Sequence, residues 1–465
     1  MKNLLFIVGI PVFVLVFSMA VIGCDENKEE PEEKLGELIA IPGILKMNDG
    51  TDITTPEQWP ARREELRTIM QDNSYGKWRF GETVNYTVSG NTLTVRVSQG
   101  GRTVQFNAVV ELPTTGAPPA GGWPVILAFG ALDGEDWFMG SKGNPRQYAL
   151  DKGYANIGVP TAGDVDANFQ PTGINVVASD DNNHTGAFYT LYPYESSAES
   201  QTGALMAWAW GASKVLDALK AGAAADFNIN ADNTIITGTS RNGKAAAVAG
   251  AFDERFKITV PASSGAGGAA IYRYNSAGQT YDLSGYFKYN GGGSWTVDQN
   301  NPQSLGSIQG DSGGGWFNAK FKTFRKPEDL PFDQHFLFAL CAGANRYLFM
   351  VNGFEWDKWT NPPAFFYNFE LTKPVFDLLG VPQNISVSMH RERHGLEQED
   401  MVKLIKYANY VFYSVKDLTF EYAETSKPKP ATWEAFMDEL HTTPFSKSVS
   451  PSNNKIYEKG KHKPL

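Results

Sequence analysis

The segment Ile235-Ile-Thr-Gly-Thr-Ser240-Arg-Asn-Gly-Lys244 puts a serine where it could serve as a nucleophile. Two β-branched residues close a strand, Gly238-Thr-Ser240 makes a tight turn, and Ala245-Ala-Ala-Val-Ala-Gly-Ala reads as a helix. Such a strand–turn–helix order pushes the hydroxyl out of the sheet. It also leaves the unpaired N–H groups of a helix N-terminus beside it. The pattern departs from Gly-x-Ser-x-Gly, because Asn242 holds the place of the second glycine and Gly243 follows one residue later. A serine here could simply cap the helix. Arg241 and Lys244 argue against that reading, since cations at a helix N-terminus oppose its dipole unless a ligand offsets them.

A nucleophilic serine needs a base, and histidine is the usual one. Of the six histidines, His184 precedes Ser240, His335 lies in a helical stretch, and His441 and His462 sit in a polar tail. Asn384–Met389 reads as a late strand; His390 and His394 follow it, and a helix begins near Glu397. In the chain order nucleophile, acid, base, His394 is the candidate base. The preceding strand, Tyr347–Val351, runs into the loop Asn352-Gly-Phe-Glu355-Trp-Asp357-Lys-Trp359. Both Glu355 and Asp357 are candidates for the acid that orients the imidazole and stabilises its cation. His390 and His394 also have helical spacing, but neither has the adjacent Glu of a zinc protease. Gly265-Ala-Gly-Gly-Ala-Ala270 lacks the acidic residue that closes a dinucleotide site. No metal and no cofactor is expected.

These groups need a large scaffold, and 465 residues at 42% hydrophobic and 13% aromatic content can supply its core. Val84–Leu112 alternates as antiparallel strands separated by glycine turns. Trp123–Phe129, Ala155–Pro160, Thr234–Thr237, Ile258–Val260 and Tyr347–Val351 are short apolar runs of the kind buried on both faces of a sheet. Gly203–Leu219 is a strong helix, and helical and extended runs alternate. The expected fold is therefore α/β, a three-layer sandwich around a mostly parallel central sheet. The Gly-, Ser- and Asn-rich span 272–324 reads as an insertion at the strand C-terminal ends. A net charge of −10 without a basic stripe argues against nucleic acid.

The N-terminus is a targeting segment. Met1-Lys2-Asn3 is followed by apolar residues to Ala20, and Val21-Ile22-Gly23-Cys24 fits a lipoprotein processing site. Residues 1–24 are then a signal peptide ending in the lipidated Cys24, 25–40 an acidic flexible tether, and 41–465 the catalytic domain. The expected location is the cell envelope, with membrane contact only through the lipid. The acidic run after Cys24 resembles a surface-export signal of Bacteroidetes lipoproteins, which implies an outer membrane and an outward face. Cys341, in an apolar run, should be a small buried hydrophobe.

Gly238-Thr-Ser240-Arg241-Asn-Gly-Lys244, Gly250-Ala-Phe-Asp-Glu-Arg255 and Ser264-Gly-Ala-Gly-Gly-Ala-Ala270 together resemble the glucuronoyl esterases, carbohydrate esterase family fifteen. Arg62–Leu66, Tyr75-Gly76, Gly203–Gly211, Leu330–His335 and Trp359-Thr-Asn-Pro362 match in the same order, so the likeness spans about residues 45–415. The resemblance implies an α/β-hydrolase fold and a metal-free serine esterase. Its substrates would be (4-O-methyl) glucuronoyl esters joining xylan to lignin alcohols, and a monomer is expected. It also implies an acyl-enzyme on Ser240, His394 as base, and Arg241 at the oxyanion. Lys244 would bind sugar hydroxyls and Trp359 would flank the uronosyl ring. Family members usually carry Glu after the strand that here ends Ala262-Ser263-Ser264, and some bacterial members place the acid where Glu355 and Asp357 lie. Fungal-type members carry a disulfide at the positions of Thr239 and Gly395. A family Glu is replaced within Ser312-Gly-Gly-Gly315. Alternatives are an acetyl xylan-type esterase on the same scaffold, or a surface glycan-binding lipoprotein with a degenerate site.

Overall fold

The computed structural model describes residues 37–38, 41–130, 143–161, 176–177, 184–198, 200–275, 287–291, 294–297, 302–310, 315–354, 357–391 and 394–415. The chain divides into Met1–Leu35 and Gly36–Leu465. The first unit, with Cys24, lies outside the described residues, as do Glu355 and Ser312.

The described strands are β1 (Glu37–Leu38), β2 (Thr83–Ser89), β3 (Thr92–Gln99), β4 (Arg102–Glu111), β5 (Trp123–Phe129), β6 (Ala155–Val159) and β7 (Ile229–Thr239). They continue with β8 (Ile258–Ala262), β9 (Tyr274–Asn275), β10 (Phe287–Gly291), β11 (Ser294–Val297), β12 (Tyr347–Gly353) and β13 (Ile385–His390). Nine form one sheet in the order β13-β12-β8-β7-β5-β6-β4-β3-β2. β2, β3 and β4 pair antiparallel, and β4 joins β6 antiparallel. From β6 through β5, β7, β8 and β12 to β13 every pairing is parallel. The expected mostly parallel sheet is thus present, with a meander on one side. β1, within the span expected to be a tether, pairs antiparallel with β9.

Burial follows from composition. β5 and β8 are buried along their whole length, as two-sided apolar strands require. β3 alternates, burying Leu93, Val95 and Val97 on one face only. Successive β5 residues feed opposite layers: Val125, Leu127 and Phe129 face one core, Ile126 and Ala128 the other. The first core includes residues of helices Trp59–Met70, Ala204–Ala218, Arg241–Phe252, Gln334–Ala339 and Pro362–Leu378. The second includes residues of Pro145–Asp151 and Gln398–Tyr413. Trp208 and Trp210 are wholly buried, and truncating such a ring to Ala costs about 3–5 kcal/mol.

The chain reverses its direction of travel at β5, whose neighbours are β6 on one side and β7 on the other. In parallel sheets the crevice at the strand C-termini beside such a reversal is where ligands bind. β7 ends at Thr239, one residue before Ser240.

Candidate active site

Ser240 joins β7 to helix Arg241–Phe252 with φ 62° and ψ −126°. A serine at positive φ is strained, and a sharp strand-to-helix turn is where a fold holds one to expose its hydroxyl. Its N–H donates to Ala262 O of β8 (3.0 Å), and its carbonyl accepts from Lys244 N (3.0 Å). Glycine is needed on both sides. A Cβ on Gly238 would lie 2.5 Å from Asn242 O, and one on Gly243 would lie 2.5 Å from Ala262 O. This explains the displaced second glycine: residue 243, not 242, passes over the end of β8.

His394 stands in the loop between β13 and helix Gln398–Tyr413. Its Nδ1 lies 2.8 Å from Asp357 Oδ1, with the imidazole 11% exposed and the carboxylate wholly buried. A carboxylate only accepts, so Nδ1 carries the proton and Nε2 is left with its lone pair. Asp357 Oδ2 is buried and accepts no hydrogen bond among the described residues. The acid's loop is fixed by Thr360, whose Oγ1 donates to Asp357 O (2.6 Å) and accepts from Asn352 Nδ2 (3.0 Å). Gly395 brings the base loop to the elbow, because a Cβ there would lie 3.2 Å from Thr239 Cγ2.

The structure therefore brings Ser240, His394 and Asp357 to one end of the sheet, from the ends of β7, β13 and β12. Arg241 opens the helix after Ser240. Lys244 and Trp359, expected at the sugar, are both buried. Lys244 is 2% exposed, and its Nζ donates to Ser264 O, Ala266 O (2.7 Å) and Gln303 Oε1 (3.2 Å). Those acceptors match its three N–H groups. Burial pulls its pKa down to about 7 against the opposing pull of Asp357. Trp359 is 3% exposed, and its ring packs 4.5 Å from the His394 imidazole. Sequence patterns gave no sign of Gln303, a polar residue in a glycine- and asparagine-rich insertion.

His390 and His394 diverge. His390 Nδ1 lies 2.8 Å from Asp400 Oδ2, with both side chains buried, whereas His394 meets Asp357. His335 is buried in its helix with Nε2 donating to Pro42 O (2.9 Å). Cys341 is buried and free, and among the described residues no group of three or more His, Cys, Asp or Glu could hold a metal.

A serine at a strained strand–helix elbow, with a histidine oriented by a buried carboxylate, defines a serine esterase of α/β-hydrolase architecture. A family profile described as "Glucuronyl esterase, fungi" matches residues 95–380. The chain is 40% identical to a multidomain esterase of Ruminococcus flavefaciens over 83% of its length, and spans 48% of that protein. It is 30% identical to a 4-O-methyl-glucuronoyl methylesterase of Schizophyllum commune, over 77% of this chain and 76% of the relative. A carbohydrate esterase family 15 glucuronoyl esterase from Caldicellulosiruptor kristjansonii superimposes with a TM-score of 0.71 at 38% identity, covering 86% of this chain and 97% of that one. The chain belongs to the glucuronoyl esterases of carbohydrate esterase family 15, which are carboxylic ester hydrolases.

Proposed function

We propose that the whole protein hydrolyses 4-O-methyl-glucuronoyl esters, cleaving the bond between xylan-borne glucuronic acid and a lignin-type alcohol. The observation that carries this reading is the elbow at Ser240 beside the His394–Asp357 pair. Ser240 Oγ attacks the uronate carbonyl carbon while His394 Nε2 takes its proton. Asp357 holds the imidazole through Nδ1–H and stabilises the cation formed. The tetrahedral oxyanion is held by N–H groups at the start of helix Arg241–Phe252, with the Arg241 guanidinium beside them. Collapse expels the alcohol, protonated by His394, and leaves the acyl-enzyme. Water activated by the same imidazole then releases the uronic acid.

Lys244 places positive charge beneath the uronate, and Trp359 walls the imidazole against solvent. Turnover of a benzyl glucuronate ester tests the assignment. Ser240→Ala should remove it by at least about 10³-fold, and retained hydrolysis would sink it. Methyl glucuronate assayed against acetylated xylo-oligosaccharide separates this reading from that of a deacetylase. A glycan-binding protein without chemistry would leave a fluorophosphonate probe unreacted.

We also propose, from the sequence around Cys24 alone, that the protein is carried on a lipid anchor at the outer face of the envelope. Among the described residues no helix is long and apolar enough to cross a membrane. Cys24→Ser should move the protein from the membrane fraction to the soluble one, and an unchanged distribution would refute the anchor.

A further inference from the structure

The turn after β8 touches every element that carries a catalytic group. Ala262 O accepts the N–H of Ser240 (3.0 Å), and the N–H of Ser263 donates to Val351 O of β12 (2.9 Å), the strand that leads into the Asp357 loop. Ser263 Oγ accepts the N–H of Gly395 (3.0 Å), the residue after His394, and lies 3.4 Å from Gly395 O. These links join residues far apart in sequence.

Ser263 also has a conformation that its residue type disfavours. Its φ is +43°, in the left-handed region where a side chain is strained, and it is 1% exposed. Glycine would relieve that strain, and the structure shows what glycine would forfeit: a hydroxyl that accepts from the Gly395 N–H and donates to the Gly395 carbonyl. Gly395 itself has φ +129° and lies against Thr239. The base loop is therefore held by a hydrogen bond at Ser263, close beside the elbow at Thr239.

We infer that Ser263 is a positioning residue for the base: its hydroxyl fixes the main chain at Gly395 so that His394 stands in register with Ser240. Ser263 does not touch the imidazole or the reacting atoms. Its effect passes through the peptide that follows His394. The inference rests on Ser240 and His394 being nucleophile and base, as proposed above.

Ser263→Gly separates the hydroxyl from the backbone strain. With a benzyl glucuronate ester, kcat should fall about ten- to a hundredfold, the scale of a small displacement of a reacting group. KM should change less than about twofold, since uniform substrate binding is untouched. Tm should hold or rise, because strain is removed. Phosphonylation of Ser240 by a fluorophosphonate should slow in parallel with kcat. An unchanged kcat overturns the inference, as does a loss confined to KM or a kcat loss that tracks a falling Tm. Should the glycine variant fail to fold, Ser263→Cys keeps the strained side chain but replaces a strong acceptor with a weak one; kcat should still fall with KM nearly unchanged, and an unchanged kcat overturns the inference. Ser240→Ala run alongside distinguishes the two levels. If it stays active the catalytic assignment fails, whereas a dead Ser240→Ala with a fully active Ser263→Gly removes only the clamp.

Discussion

Two imidazole–carboxylate pairs flank one short loop, one at its base and one at its tip. His390 closes β13 and meets Asp400 in the first turn of helix Gln398–Tyr413; His394, between them, meets Asp357 from a different strand. Both pairs have the same 2.8 Å separation, yet their surroundings differ. Asp400 is saturated: the Ser388 hydroxyl donates to Oδ1 (2.6 Å), and the Glu397 N–H donates to Oδ2 (3.0 Å) as part of a capping box. Burial alone would raise the Asp400 carboxyl, but His390, Lys403 and Ser388 outweigh it and hold it below the ordinary value. Among the described residues Asp357 keeps one buried oxygen without a donor, and its histidine is partly exposed. The first pair closes the base of the loop and the second works at its tip. The same two residue types thus become structure or chemistry according to how many hydrogen bonds are already spent and which ring can meet a substrate.

The sharpest way to break the contrast is to neutralise each carboxylate in turn. Asp357→Asn should cost about 10⁴-fold in kcat, the scale of losing a triad carboxylate, with a nearly unchanged urea midpoint. A similar kcat in variant and wild type would remove Asp357 from the relay. Asp400→Asn should do the reverse. It leaves a buried partner uncompensated and should lower unfolding free energy by about 3–5 kcal/mol, while the folded fraction keeps near-normal turnover at low temperature.

A third imidazole sharpens the comparison because no carboxylate is bonded to it. His335 is pushed down to about 3, mainly by burial, with Arg273 and Arg62 adding to the shift. Between its ordinary 6.5 and about 3, the unfolded chain binds a proton that the native state refuses, so its contribution is lost as pH falls through that window. Urea titrations should show stability dropping by up to about 1.4 kcal/mol per pH unit from this residue, and His335→Gln should flatten the slope. Asp400, held low, keeps its contribution above its unfolded value and loses it only in stronger acid. The smallest effect is expected at Glu355. Glu355→Gln should alter kcat by less than about threefold, and a loss matching that of Asp357→Asn would move the acid to the other carboxylate.

What the sequence showed follows the range of the interactions involved. The Ser240 turn, the parallel strands and the place of His394 after β13 depend on local pattern and chain order, and they could be read directly. The choice between Glu355 and Asp357 could not, since both sit two residues apart in one loop. The geometry at Asp357 depends on Asn352 and Thr360 bracing a turn. Lys244 could be read only as a cation near a helix start; its burial against Ser264, Ala266 and Gln303 depends on residues beyond the helix. Ser263 was visible only as a position lacking a carboxylate, since its partner is 132 residues away.

Thr239 and Gly395 face each other across the elbow, where fungal-type relatives are expected to be cross-linked. Neither is a cysteine, and Cys341 is buried elsewhere. Closing this site therefore calls for no oxidant and no isomerase. The base loop can seat in reducing, oxygen-poor surroundings as readily as in aerated ones, and a thiol reductant should leave turnover where it found it.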